Sequence, residues 1–198
     1  MTQLERFFRA YESGETFTAF DTETTGLKAE LGHVIEIGAI KFNKNGIFKT
    51  YGTLINPVEQ IPWQVTQINN ISNEMVADSP IFEQIAPDFL DFIADSTLIA
   101  HNAGFDIAFI NTELSRAELP TLRSPAVPAI DTVKLAQSTF PLMKNHKLQY
   151  LAEQFKIDSG NAHRATDDAR VCMEIFLKCL ESFRKANPQT IEIQQSLF

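Results

Sequence analysis

The chain has 198 residues, 44% hydrophobic and 21% charged, with a formal net charge of −8. It is long enough for one domain with a full core and ordinary in composition for a globular protein. It has no run of ~18 apolar residues and so no membrane span, and Met1-Thr2-Gln3-Leu4-Glu5-Arg6 lacks the apolar core of a signal peptide, so the expected compartment is the cytoplasm. The acidity argues against broad coating of a phosphate backbone, because tight non-specific nucleic-acid binders are basic. It leaves room for a small site where bound metal supplies the positive charge.

Leu4, Phe7, Phe8 and Tyr11 recur at helical spacing and predict a short helix over 3–12, ended by Ser13-Gly14. Thr16-Phe17-Thr18-Ala19-Phe20 is β-branched and aromatic without charge, the pattern of a central strand buried on both faces, running to about 22. Residues 27–32 read as a loop and His33 to Phe42 as a second strand. Asn43-Lys44-Asn45-Gly46 is a turn, with Asn45-Gly46 the strongest hairpin dipeptide, and Ile47 to Ile55 is a third strand. Pro57 and Pro62 break regularity, and 63–77 read as short helical turns. Ser79-Pro80 opens a helix to about 94, with Ile81, Phe82, Ile85, Phe89, Phe92 and Ile93 as its apolar stripe. Thr97-Leu98-Ile99-Ala100 is a fourth buried strand, followed by a helix from about 104 to 117. Pro120, Pro125 and Pro128 mark a loop before a fifth, short strand near 128–131, and Asp131 can cap a helix over 132–139. Further helices are expected at 147–156 and 166–186, after which Pro188 releases a polar tail. A three-strand antiparallel meander followed by strands alternating with helices predicts an α/β fold, a mixed five-stranded sheet flanked by helices. One domain spans 1–186, and 187–198 form a flexible tail. Cys172 and Cys179 lie seven apart in a helical pattern, roughly 10 Å by helix rise. That is too far for a disulfide, so both are expected to be free core thiols in a reducing compartment.

The central strand ends in Phe20-Asp21-Thr22-Glu23-Thr24-Thr25-Gly26. Side chains two apart on a strand share a face, so Asp21 and Glu23 project together. Two like charges at the end of a buried strand are costly unless something positive sits between them. On this stretch alone two readings stand: a divalent-cation site, or a strand ending in two solvated acids before a turn. Gly26 is free to take a positive φ in that turn. Helix phase at ~100° per residue separates two more acids. Val171, Cys172, Ile175, Phe176, Cys179, Leu180 and Phe183 define the buried face of the last helix. Asp168 falls in line with them, whereas Asp167 points to water. Asp106 likewise heads a stripe with Ile110 and Leu114, one turn beyond a buried strand. Strand ends and helix starts on one edge of an α/β sheet are where such folds build sites. Asp21, Glu23, Asp106 and Asp168 could therefore meet there, and their hard oxygens suit Mg²⁺ or Mn²⁺. His163, five residues before Asp168, cannot share that helix face and falls on a loop. A neutral imidazole there could take a proton from water. His33 and His146 read as solvated or structural, and His101 as a hydrogen-bonding support of the site.

These segments resemble the motifs of the DEDDh, or DnaQ-like, 3′–5′ exonuclease family. Asp21-Thr22-Glu23-Thr24-Thr25-Gly26, His101-Asn102-Ala103-Gly104-Phe105-Asp106 and His163-Arg164-Ala165-Thr166-Asp167-Asp168-Ala169 match its three motifs in order. The resemblance implies a ribonuclease-H-like fold and two-metal hydrolysis that releases nucleoside 5′-monophosphates from nucleic-acid 3′ ends, with DNA favoured. By analogy Asp21, Glu23 and Asp168 hold one ion, Asp21 bridges to a second, and Asp106 supports that second ion. His163 is then the general base. Thr24, Thr25, Gly26, His101, Asn102 and Phe105 would lie along the substrate, although Phe105, an aromatic on an apolar helix face, reads more readily as core packing. Members of the family that proofread often carry His-Gly between apolar residues where this chain has Ile68-Asn69-Asn70-Ile71, a departure at the segment facing the terminal nucleotide. The ending Gln194-Gln195-Ser196-Leu197-Phe198 resembles the peptide by which bacterial replication proteins dock on the sliding clamp, with Gln194, Leu197 and Phe198 as the docking side chains. A replicative polymerase is the other partner the resemblance implies. The competing functions are a 3′–5′ exoribonuclease and a non-catalytic module that binds the clamp or nucleic acid.

Overall fold

The computed structural model describes residues 1–122 and 129–188. Helix α1 (Gln3–Glu12) leads into β1 (Phe17–Thr24), β2 (Val34–Asn43) and β3 (Gly46–Leu54). Two short helices, α2 (Trp63–Asn69) and α3 (Asn73–Val76), precede α4 (Phe82–Ile93), β4 (Thr97–Ala100) and α5 (Ala103–Arg116). A two-residue β5 (Ile130–Asp131) then runs into α6 (Thr132–Thr139), α7 (Leu148–Phe155) and the long α8 (Ala165–Ala186). The five strands form one sheet in the order β3-β2-β1-β4-β5, with the meander antiparallel and β4 and β5 parallel to β1.

β1 is central because both of its faces are covered. Phe17 and Ala19 pack into a core shared with α1, α6, α7 and α8, and Phe20 packs into the core on the α4–α5 side. Thr18 is itself fully buried and shares a hydrogen bond with Ser96 at 2.7 Å. The hairpin between β2 and β3 turns at Lys44-Asn45, with Gly46 at φ +114°, a conformation that favours glycine. α8 lies close against the sheet because β2 and β3 present glycines beneath its first turn. A Cβ on Gly38 would stand 2.1 Å from the Thr166 amide nitrogen, and one on Gly52 would stand 2.8 Å from the Thr166 hydroxyl.

Three details differ from the sequence reading. β1 continues two residues past 22 because β2 keeps pairing with it to Val34, with a register shift between Glu23 and Thr24. Gly26 does not adopt the left-handed conformation; it sits in open space, and its carbonyl accepts the Thr24 hydroxyl at 2.7 Å. The fifth strand is confined to Ile130–Asp131 among the described residues; Pro125 and Pro128 lie outside them. Cys172 and Cys179 are both buried and free, and burial pushes the Cys179 thiol up to about 12.

Candidate active site

The site is built where β1 outruns β4. Pairing between those strands ends at Ala19 and Ile99, while β2 follows β1 on its other side. Asp21 and Glu23 alternate with Phe20 and Thr22, so they share the face of Phe17 and Ala19 and point toward α8. Asp168, in the first turn of α8, is 5% exposed and meets them there, while Asp167 is half-exposed and accepts the Asn161 N–H at 2.9 Å. Gln149 on α7 donates to Asp168 Oδ1 at 2.9 Å, and the His163 N–H donates to Oδ2 at 3.1 Å. Glu23, His163 and Asp168 each bring a ligand atom within 4.8 Å of the others.

Asp106 arrives from the opposite layer, around the open edge of β1. Its Oδ1 accepts both the Thr22 N–H, at 3.0 Å, and the Thr22 hydroxyl, at 2.8 Å. The N–H of Thr22 lies beyond the last β4 pair, and a buried amide without a partner is costly. Asp106 satisfies it and is thereby fixed beside β1, with Oδ2 outside this pair of bonds.

The electrostatics follow from this crowding. Burial first, and then Asp106, Asp168, Glu23 and Glu36, hold the Asp21 carboxyl well above the usual carboxylate range. Glu23 is pushed up to about 8 by burial, reinforced by Asp168 and Glu36 and opposed by a hydrogen bond from Asn69. Asp106 rises to about 7, mainly through burial and against its bonds from Thr22, and burial also raises Asp168. A cluster of mutually repelling carboxylates with hard oxygen donors, backed by neutral amide donors from Asn69 and Gln149, fits a divalent cation that would displace the protons.

The two nearby histidines differ. The His101 ring is bound at both nitrogens, to the Thr132 hydroxyl at 2.9 Å and the His146 carbonyl at 3.0 Å, and burial lowers it to about 4. A neutral ring with Nε2 donating to that carbonyl must accept at Nδ1. Among the described residues no hydrogen-bond partner is found for the exposed ring of His163, which stands at φ +64°. A cleft lined by Asp21, His101, Lys147, Leu148, Gln149, His163 and Asp168 opens between them.

The remaining candidates divide. Thr24 and Gly26 stay half-exposed after β1, whereas Thr25 is buried and its hydroxyl accepts the His33 N–H at 2.9 Å. Asn102 is exposed at the head of α5. Phe105 packs against Phe109 with ring centroids 4.8 Å apart, as an aromatic of the α4–α5 core. Gln194, Leu197 and Phe198 lie outside the described residues. His33 is structural, 3.0 Å from Glu113, and the His146 ring meets the Phe140 carbonyl at 3.1 Å.

The structure adds residues that the sequence reading did not assign to the site: Asn69, Lys147, Gln149, and the pair Glu36–Arg164. Asn69 is 1% exposed, and its carbonyl oxygen takes the Ile71 N–H at 3.0 Å, which leaves its amide for Glu23. A signal for Glu36 was present, a lone acid inside the apolar run Val34-Ile35-Glu36-Ile37.

A family model described as an exonuclease matches residues 18–176. The chain is similar to the DNA polymerase III subunit epsilon of Treponema pallidum (strain Nichols), with 46% identity over 182 residues that cover 91% of this chain and 83% of that protein. Among solved structures it is similar to Exonuclease X in complex with 5′ overhanging duplex DNA, at 27% identity and a TM-score of 0.65, covering 86% of this chain and 93% of that one. The nuclease domain of 3′hExo, a DEDDh family member bound to rAMP, shares the fold with a TM-score of 0.73 at 18% identity, covering 85% and 92%.

An acid that holds its proton more tightly folded than unfolded contributes stability at low pH that is lost as pH rises through the folded value. For Glu23 that window runs from its ordinary 4.5 to about 8. With chelator present, the wild type is expected to lose more Tm across this window than Glu23→Gln, and saturating Mn²⁺ should remove the difference. Equal slopes for the two proteins in chelator would contradict the crowding described above.

Proposed function

Given that the chain belongs to the exonuclease family and is a metal-dependent 3′–5′ exonuclease, we propose that it trims DNA 3′ ends to nucleoside 5′-monophosphates in replication proofreading or repair. The observation that carries this reading is the meeting of β1 acids, Asp168 and His163 at one edge of the sheet. Asp21, Glu23 and Asp168 are the residues that would hold divalent cations, with Asp106 beside them. Two ions, Mg²⁺ or Mn²⁺, fit a set made of carboxylate oxygens. When bound, such ions supply Lewis acidity at the attacking water and charge stabilisation at the departing 3′-oxygen.

The chain's own groups supply the rest. His163 is the base, because its ring is open to the cleft while both nitrogens of the His101 ring are engaged. A positioned base of this kind contributes roughly 10²–10⁴-fold. The bond from the His163 N–H to Asp168 ties the loop carrying the base to a proposed metal acid. Gln149 and Asn69 hold Asp168 and Glu23 in place through amide N–H donors, which stabilise the ionised form of a carboxylate. Lys147, on the cleft rim, brings positive charge suited to a backbone phosphate in an otherwise acidic site. The half-exposed backbone at Thr24 and Gly26 and the exposed Asn102 are placed to border the terminal nucleotide.

Partners follow the same reading. The relatives are named as polymerase III subunits, which supports association with a replicative polymerase. The tail supports docking on a sliding clamp through Gln194, Leu197 and Phe198. Among the described residues no helix is long and apolar enough to cross a membrane.

Matched single strands of DNA and RNA, labelled at the 5′ end, test the substrate. DNA should shorten from its 3′ end with Mg²⁺ and remain intact with chelator; efficient loss of RNA with DNA almost untouched would replace the proofreading reading with an RNA-processing one. Deletion of 194–198 should weaken binding to the clamp while short oligonucleotides are still digested at the wild-type rate. Unchanged clamp affinity would remove the tail from the account.

A further inference from the structure

Glu36 lies directly across from Glu23 in the β1–β2 register, so both acids share the face turned to α8. Like charges in that relation repel, and Glu36 is only 5% exposed. Its carboxylate is nevertheless fully engaged. Arg164 Nε donates to both oxygens, at 3.2 and 3.1 Å, and Nη2 donates to Oε1 at 2.7 Å. The Ala165 N–H donates to Oε2 at 3.1 Å. Arg164 is the N-cap residue of α8 but forms no side-chain cap of its own, so Glu36 caps the helix from β2 instead.

The position of this clamp matters. Arg164 directly follows His163, whose φ of +64° is unfavourable for a residue with a side chain. Asp168 lies within the first turn of the same helix and takes the His163 N–H. Gly38, two residues along the same face of β2, lets the start of α8 lie flat on the strand. His163 is therefore held through its own N–H by Asp168, and the two residues that follow it, Arg164 and Ala165, are held by Glu36.

We propose that Arg164 and Glu36 are positioning residues for His163: the forked pair sets where the imidazole stands relative to the carboxylates of β1, and Glu36, despite its place beside Glu23, is not a metal ligand. This rests on the reading of His163 as the base. The planar guanidinium suits the role because it engages two oxygens in fixed geometry, which a lysine cannot do.

A kinetic cycle with Mg²⁺ and single-stranded DNA tests it, using Arg164→Ala, His163→Ala and the double variant, with folding checked by circular dichroism. Arg164→Ala should lower kcat by about 10- to 100-fold, the range for a misplaced catalytic group, with KM little changed. In the His163→Ala background the same substitution should have no further effect, and Mn²⁺ affinity measured by calorimetry should match wild type. An equal loss in both backgrounds, or Mn²⁺ affinity falling in step with kcat, would overturn the proposal. Because Arg164→Ala strands a buried charge, Glu36→Gln/Arg164→Ala serves as a second variant and should behave in the same way. Full activity of His163→Ala would instead remove the base assignment on which the proposal rests, whatever Arg164 does.

Discussion

Carboxylates brought out of water beside one another repel, and this fold forces that arrangement at the end of its central strand. β1 is fixed by two cores and by pairing on both sides, so it cannot swing its last residues toward solvent. Asp21 and Glu23 must then face α8, where Asp168 is anchored by Gln149 and the His163 N–H. Packing energy from the aromatic cores sustains the electrostatic cost, and the raised proton affinities of Asp21, Glu23, Asp106 and Asp168 are its visible result. A cation that lowers this cost binds with a favourable contribution prepared by folding.

Each neighbour of the cluster fits that constraint. Asp106 closes the open edge of β1 by satisfying an amide that β4 is too short to reach. Glu36 would worsen the repulsion if left free, and Arg164 converts it into a clasp between strand and helix. His101 is held neutral between a hydroxyl and a carbonyl, so it adds shape without charge. Glycine at 38 sets the distance, since a Cβ there would run into the backbone of Ala165 and Thr166, lift α8 and carry Asp168 away from β1.

Much of this was legible in the sequence because it depends on local periodicity. The alternation in 16–23 placed Asp21 and Glu23 on one face, and helix phase separated inward Asp168 from outward Asp167. The heads of apolar stripes identified Asp106. The meander and the helical segments were likewise readable from turn dipeptides and apolar stripes. What escaped depends on which element lands on which. Arg164 follows Glu36 by 128 residues, and only the seating of α8 on β2 brings them together. Asn69 looked like a departure from a motif, yet its buried amide serves Glu23. Gly26 is free to take a positive φ but does not use that freedom; the continuing β1–β2 ladder shapes the turn without it. Phe105 sits within a motif but is held by Phe109.

The central claim is that acids distant in sequence converge tightly enough to trap divalent cations. Calorimetric titration of the full chain with Mn²⁺, wild type against Asp168→Ala, tests it most directly. Saturable binding in the wild type, weakened by at least tenfold in a variant with an unchanged circular dichroism spectrum, is the predicted result. Equal Mn²⁺ affinity in the two proteins would contradict it.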